Sequence, residues 1–350
     1  MTAARDIARR VAIDGLVATE GITIDPSDNI EVLRQLRSHR IEGVAVSMLE
    51  RGDIDADDAF SSSLTGQHDE TMAQVLRIEI AAIRVSELLG DHGITHRLLK
   101  GAALAHGSAR MPRERSFRDV DVLVPSTSID DAVSMLEFEG AVRLQPELRP
   151  GFDARFAKSV TMQLDDVEID VHRLLAPGPF GVWMHPNDLF LLGSTQSIGD
   201  AEIPTLDVTE HLLHACFHVA LGSVEPALIN LRDIALLANS DCDVERFAET
   251  VERWRGRAVV QRAVKLVADE LGIELPEGLA RYRHEPVEAS ERSAIGPYLT
   301  NDPRGRFAAL APATFKALPR TDRVAFARAV GLPDGTNASD RVRSLIDRVR

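Results

Sequence analysis

The sequence predicts an α+β protein: a small mixed β-sheet core with flanking helices and a mainly α-helical C-terminal region. Three observations predict it. Between residues 94 and 172, short apolar runs of strand length alternate with helical spacing. One run, Phe117-Arg-Asp-Val-Asp-Val-Leu-Val124, alternates acid and valine and stops at Pro125. After Pro177 the composition changes, and segments 187–193, 207–221, 225–239, 243–254 and 256–271 all carry helical spacing. The chain therefore divides into an N-terminal helical extension (1–68), a sheet-bearing core (69–176) and a helical C-terminal region (177–350). Its 350 residues suit two domains, or one with a large extension.

Taken in order, residues 7–17 suit a helix, and Asp25-Pro-Ser-Asp28 a turn or cap. Helical spacing continues over 30–50 through Ile30, Leu33 and Leu36, then Val44, Val46 and Leu49. The acidic, Ser-rich stretch 52–68 reads as a loop with at most a helical turn. A helix over 69–91 follows, its stripe formed by Met72, Val75, Leu76, Ile80, Ile83, Leu88 and Leu89. Gly93 breaks it, 94–99 is the first core strand, and 102–108 a short helix. A helix over 129–139 closes at Gly140. Segments 142–144, 157–164 and 167–172 read as strands. Weaker helical patterns occupy 288–299 and 320–331, among seven prolines between 276 and 333. Residues 339–350 suit a basic amphipathic helix.

A hydrophobic fraction of 44% supports a buried core. The net charge of −14 argues against bulk nucleic-acid binding, which needs a broad cationic surface. No apolar run is long enough to span a membrane, and no signal-like segment follows the charged first ten residues. The two cysteines, Cys216 and Cys242, lack metal spacing and suit a reducing compartment. A cytoplasmic protein is expected.

Chemistry concentrates around Asp119 and Asp121. On a strand these project to one side, about 6–7 Å apart, and Val120, Val122 and Val124 project to the other. Two such carboxylates repel unless a cation lies between them. Magnesium fits, since it takes one or two carboxylates and completes its sphere with water and phosphate oxygens. Lys100 and Gly101, just upstream in Leu98-Leu-Lys-Gly-Ala-Ala-Leu104, suit those phosphates. Arg110, Arg113, Arg115 and Arg118 add cationic forks that match phosphate oxygens. Alternation points Arg118 away from the metal side.

The acidic strand Val167-Glu-Ile-Asp-Val-His172 offers Asp170 as a third ligand, with Glu168 as its rival. His172 shares their face, as a base or an orienting group. His211, His214 and His218 share a helix face, a spacing that can bind zinc. Leu212, Leu213, Phe217 and Val219 around them favour core packing instead. Asp233 reads as a helix-face charge able to pair with one of these histidines.

The Leu-Lys-Gly segment, the arginine-rich approach, Asp-x-Asp before Val-Leu-Val and the later acidic strand together resemble the polymerase-beta-like nucleotidyltransferase superfamily. Within it they resemble a bacterial family of uncharacterised nucleotidyltransferases, over roughly residues 70–240. The wider superfamily carries Gly-Ser at the phosphate turn, where this chain has Lys100-Gly101. The resemblance makes 69–176 a nucleotidyltransferase catalytic core and 177–350 an acceptor-binding region. It implies two magnesium ions held by Asp119, Asp121 and Asp170. The co-substrate would be a nucleoside triphosphate such as ATP, bound by Lys100, Gly101, Arg113, Arg115 and Arg118. The acceptor would be a small molecule, a peptide, a protein or tRNA. The alternatives are a toxin-like transferase acting on tRNA or protein, and a nucleotide-binding module without catalysis.

Overall fold

The computed structural model describes residues 2–108 and 111–331. Arg110 and the helix expected over 339–350 lie outside the described residues. A two-residue ribbon pairs β1 (Ile22–Thr23) with β2 (Ile54–Asp55) in parallel. The main sheet holds β3 (Arg97–Leu99), β4 (Asp119–Leu123), β5 (Val142–Arg143), β6 (Ser159–Leu164), β7 (Val167–His172), β8 (Ser194–Ile198) and β9 (Ala201–Thr205). Their order across the sheet is β5-β6-β7-β4-β3-β9-β8. The mixed sheet and the helical C-terminal region are those expected for the α+β class.

β4 is central, and each of its faces meets a different core. Val120, Val122 and Val124 pack with Val85 and Leu89 of the helix Asp58–Asp91 and with Leu136 of the helix Ile129–Phe138. Leu123 points the other way and joins Leu99, Leu104 and the C-terminal helices. Alternation along one strand thus sends Asp119 and Asp121 toward the helical side.

Several expectations need correction. Residues 58–68 of the loop expected over 52–68 are the start of the 34-residue helix Asp58–Asp91. Asp57 caps it by accepting the Phe60 N–H at 2.7 Å. Phe60, Leu64 and His68, four apart, are buried, so the acidic and serine residues are merely the helix's outer face. Farther along, Leu76 and Ile80 point outward, and Ile78, Ala81, Ala82 and Val85 fill the buried stripe in their place. The helix expected over 7–17 runs Ala3–Ala12. Residues 187–193 give only the 3₁₀ turn Pro186–Phe190. The β8–β9 hairpin that follows was not expected. Its signal was the two-residue Gly199-Asp200 link between alternating runs, with Gly199 at φ +58°. A further helix, Pro303–Ala317, tolerates Pro312 in its interior.

The helical region begins with Val208–Gly222, opened by a capping box between Asp207 and Glu210. Leu228–Ala238 packs beside it. Glu114, the last residue of the 3₁₀ turn Pro112–Glu114, and Arg115, its cap, lock onto two adjacent residues of this second helix. Arg115 grips Asp233 through Nε (3.1 Å to Oδ1) and Nη2 (2.8 Å to Oδ2), with both side chains 5% exposed. Glu114 pairs with Arg232 at 3.5 Å, and Arg232 also donates to the carbonyls of Ala12 and Asp14. Asp233 therefore pairs with Arg115, not with a histidine.

Removing one partner of the Arg115–Asp233 pair strands the other charge in the interior. Arg115→Met or Asp233→Leu alone is expected to cost about 3–5 kcal/mol, and the double variant to recover most of it. Denaturant midpoints test this. Single variants within about 0.5 kcal/mol of wild type would contradict it.

His211 is likewise buried, its Nε2 2.9 Å from the Thr205 hydroxyl, which itself donates to the Leu98 carbonyl. Burial pushes its pKa down to about 4. The unfolded histidine, near 6.5, binds its proton more readily than the folded one. This stabilisation is therefore complete above pH 6.5 and is lost as pH falls toward 4, by up to about 3 kcal/mol. Stability measured against pH should show that slope, and His211→Gln should flatten it. An unchanged slope in His211→Gln would rule the residue out as its source.

Candidate active site

The site forms where β4, β7 and the start of the Lys100–Gly107 helix meet. β4 and β7 run parallel with Asp119 opposite Glu168, Asp121 opposite Asp170 and Leu123 opposite His172. Asp121 and Asp170 are thus direct cross-strand neighbours, a repulsive pairing unless compensated. Register makes Asp170, not Glu168, the partner of the more buried aspartate.

Compensation is local and specific. β3 is antiparallel to β4 with Leu99 opposite Asp121. The chain then turns sharply: Lys100 takes φ +40°, a strained value for a side chain with a Cβ. This places its ammonium 2.7 Å from Asp121 Oδ1. A Cβ on Gly101 would lie 3.3 Å from the Phe117 ring, so a larger residue there needs that ring to shift. His172, fully buried, meets the same Asp121 oxygen through Nε2 at 2.7 Å. Thr161 on β6 donates to Asp170 Oδ1 at 2.5 Å.

The charges follow from this geometry. Burial alone would raise the Asp121 carboxyl, but Lys100 and His172 outweigh it and hold it well below the usual range. Burial opposes charge on Lys100 too, and Asp121, Asp119 and Asp170 overcome it and push its pKa up. Burial, then the Lys158 charge, lowers His172. The neutral ring keeps a proton on Nε2 to donate to Asp121. Asp119 is pushed up to about 6, first by burial and then by Asp121. The Lys100 charge opposes this rise only in part.

Among the described residues, donor atoms of Asp121, Asp170 and His172 all come within 4.8 Å of one another. The expected set was Asp119, Asp121 and Asp170, so the tightest trio exchanges Asp119 for His172. His172 is held at both ring nitrogens, Nε2 against Asp121 at 2.7 Å and Nδ1 3.3 Å from the Leu174 carbonyl.

The arginines disperse. Arg113 is paired with Glu50 in the N-terminal region. Arg115, expected at the phosphates, is spent on Asp233. Arg118 is exposed beside Asp119. The sequence reading missed Lys158, Thr161 and Arg40. Arg40 sits at φ +57° on the turn after the helix Asn29–Ser38 and donates to Asn230 at 3.2 Å. Burial, and then the Arg115 charge, lowers its pKa, with Asp233, Arg118 and Asp119 acting more weakly. Thr161 was findable, since it lies on the strand beside Asp170; nothing in the sequence marks Arg40.

His214 and His218 line a small cavity with Lys100, Arg115, Asn230 and Asp233. Burial, and then Lys100, keeps both rings well below their ordinary pKa. Neither joins a metal-ligand group among the described residues. A wider cleft, lined by Leu191, Glu210, Arg246 and Trp254, includes no residue of the carboxylate cluster.

Residues 25–272 match the model of a family described as uncharacterised nucleotidyltransferase. A solved structure is similar to this chain: an antigenic nucleotidyltransferase-like protein from Paracoccidioides brasiliensis. The two are 14% identical over 57% of this chain and 93% of that one, with a TM-score of 0.32. No curated protein matches the chain. The family match spans well over half of the sequence and includes every residue of the carboxylate cluster, and the chain belongs to this family of uncharacterised nucleotidyltransferases.

Proposed function

We propose that the protein is a magnesium-dependent nucleotidyltransferase that moves a nucleoside monophosphate from a nucleoside triphosphate to an acceptor hydroxyl. The observation that carries the reading is the parallel register of Asp121 and Asp170, with Asp119 under-compensated at the edge of the pair. Asp119, Asp121 and Asp170 all act on Lys100 and Lys158, and Glu168 adds to the repulsion on Asp119, so carboxylates outnumber ammonium groups here. That balance and the all-oxygen donors of the aspartates fit a hard divalent cation.

Asp119, Asp121 and Asp170 would hold the metal, which when bound lowers the charge barrier to attack at phosphorus. Lys100 and His172 keep Asp121 ionised and fixed. Asp170 accepts the proton of the attacking hydroxyl, and Thr161 orients it by donating to its Oδ1. The acceptor oxygen bonds to the α-phosphorus, the bond to the bridging oxygen breaks, and pyrophosphate departs. Of the expected arginines we assign Arg118, exposed and next to Asp119, to the phosphates. The helical region, which supplies His214 and His218 beside Lys100, would select the acceptor.

Calorimetric titration of each nucleoside triphosphate, with and without magnesium, tests the reading. Wild-type protein should bind one or more of them only with the metal. Asp121→Asn should lose at least about 100-fold in affinity, and His172→Ala about 10- to 100-fold, as for a residue that orients a ligand. Absence of binding by wild-type protein for every nucleotide would refute the proposal. Binding without turnover across an acceptor panel would favour a non-catalytic nucleotide module.

A further inference from the structure

A triphosphate needs cations that are free to turn toward it. Most of those expected from the sequence are committed elsewhere: Lys100 to Asp121, Arg113 to Glu50 and Arg115 to Asp233. Lys158 differs. It immediately precedes β6, whose Ser159 pairs with His172 and whose Thr161 pairs with Asp170. Its charge is felt by His172 and His218, and Asp170, Asp121 and Asp119 act on it in turn. Among the described residues, no hydrogen bond or ion pair engages its ammonium.

The backbone that carries Lys158 is firmly held. Its carbonyl accepts the N–H groups of Arg173 and Leu174 at 3.0 and 3.2 Å. The Arg173 guanidinium donates to the carbonyls of Ala157 (2.8 Å) and Arg155 (2.9 Å). Burial, and then Lys100, disfavours the Lys158 charge, which a direct anionic partner would relieve. A partly desolvated cation on a fixed backbone, without a direct partner, is available to an anion that arrives with a ligand.

We propose that Lys158 is a catalytic residue that contacts the nucleotide phosphates and stabilises the charge gathering on the departing pyrophosphate. The inference rests on the transferase reading above. When the bond from the α-phosphorus to the bridging oxygen breaks, its electron pair stays on pyrophosphate, and the Lys158 ammonium meets that charge as a compact point cation. Lys100 takes the complementary task of holding Asp121.

The test uses inorganic pyrophosphate with magnesium, titrated calorimetrically into wild-type protein, Lys158→Met and Lys158→Arg. The preferred nucleoside triphosphate and its monophosphate are titrated in parallel, and thermal melts check that the variants fold. Lys158→Met should weaken pyrophosphate and triphosphate binding by about 10- to 100-fold, the scale of one charge-assisted hydrogen bond. It should leave the monophosphate within about threefold, and Lys158→Arg should restore most of the loss. Equal binding by wild type and Lys158→Met, or an equal loss for mono- and triphosphate, would overturn the assignment while leaving the transferase reading intact. Failure of wild-type protein to bind any of these ligands would overturn both.

Discussion

The structure depends on keeping Asp121 charged inside the protein. This carboxylate is 2% exposed on the central strand and lies directly across from Asp170. Left alone, such a pair in a low-dielectric interior would neutralise one member or force the strands apart. Lys100 and His172, both 2.7 Å from one Asp121 oxygen, prevent this. Each reaches it from a different strand: Lys100 by the turn after β3, His172 from β7. The three strands are thus held in register by charge as well as by the backbone ladder. The strained φ of Lys100 is a cost the ion pair offsets.

The same economy governs how the N-terminal and helical regions meet the sheet. Glu114 and Arg115 engage Arg232 and Asp233 in reversed sign order, so the two cross-links cannot exchange partners without creating like-charge contacts. Arg232 also reaches the Ala12 and Asp14 carbonyls at the end of the first helix. One pair of adjacent residues therefore ties the strand-bearing segment, the helical region and the N-terminus together. The arginines nearest the carboxylates in sequence are mostly structural for this reason. Among the described residues, Arg118, Arg40 and Lys158 are not held in ion pairs, and they come from three separate stretches of chain.

The legible part of the site was that governed by local periodicity. Asp119 and Asp121 share a face because side chains alternate along a strand, and no distant contact alters that. Asp170, Glu168 and His172 shared a face for the same reason. Choosing among them needed the register of β4 against β7, a long-range pairing that composition does not encode. Local patterning misled where a helix carried a polar face, as over 58–68, and where a hairpin was short and weakly apolar, as at β8–β9.

The sequence by itself determined the α+β class, the Asp-x-Asp strand, the acidic strand beside it and the helical bulk of the C-terminal region. All of these follow from spacing within one element. Only the tertiary structure decided what each charge is paired with. It gave Lys100 and His172 to Asp121, Arg113 to Glu50 and Arg115 to Asp233. A side chain's charge is written in the sequence. Its partner depends on which segments pack together and how deeply, since burial turns a weak surface attraction into a contact the fold must satisfy.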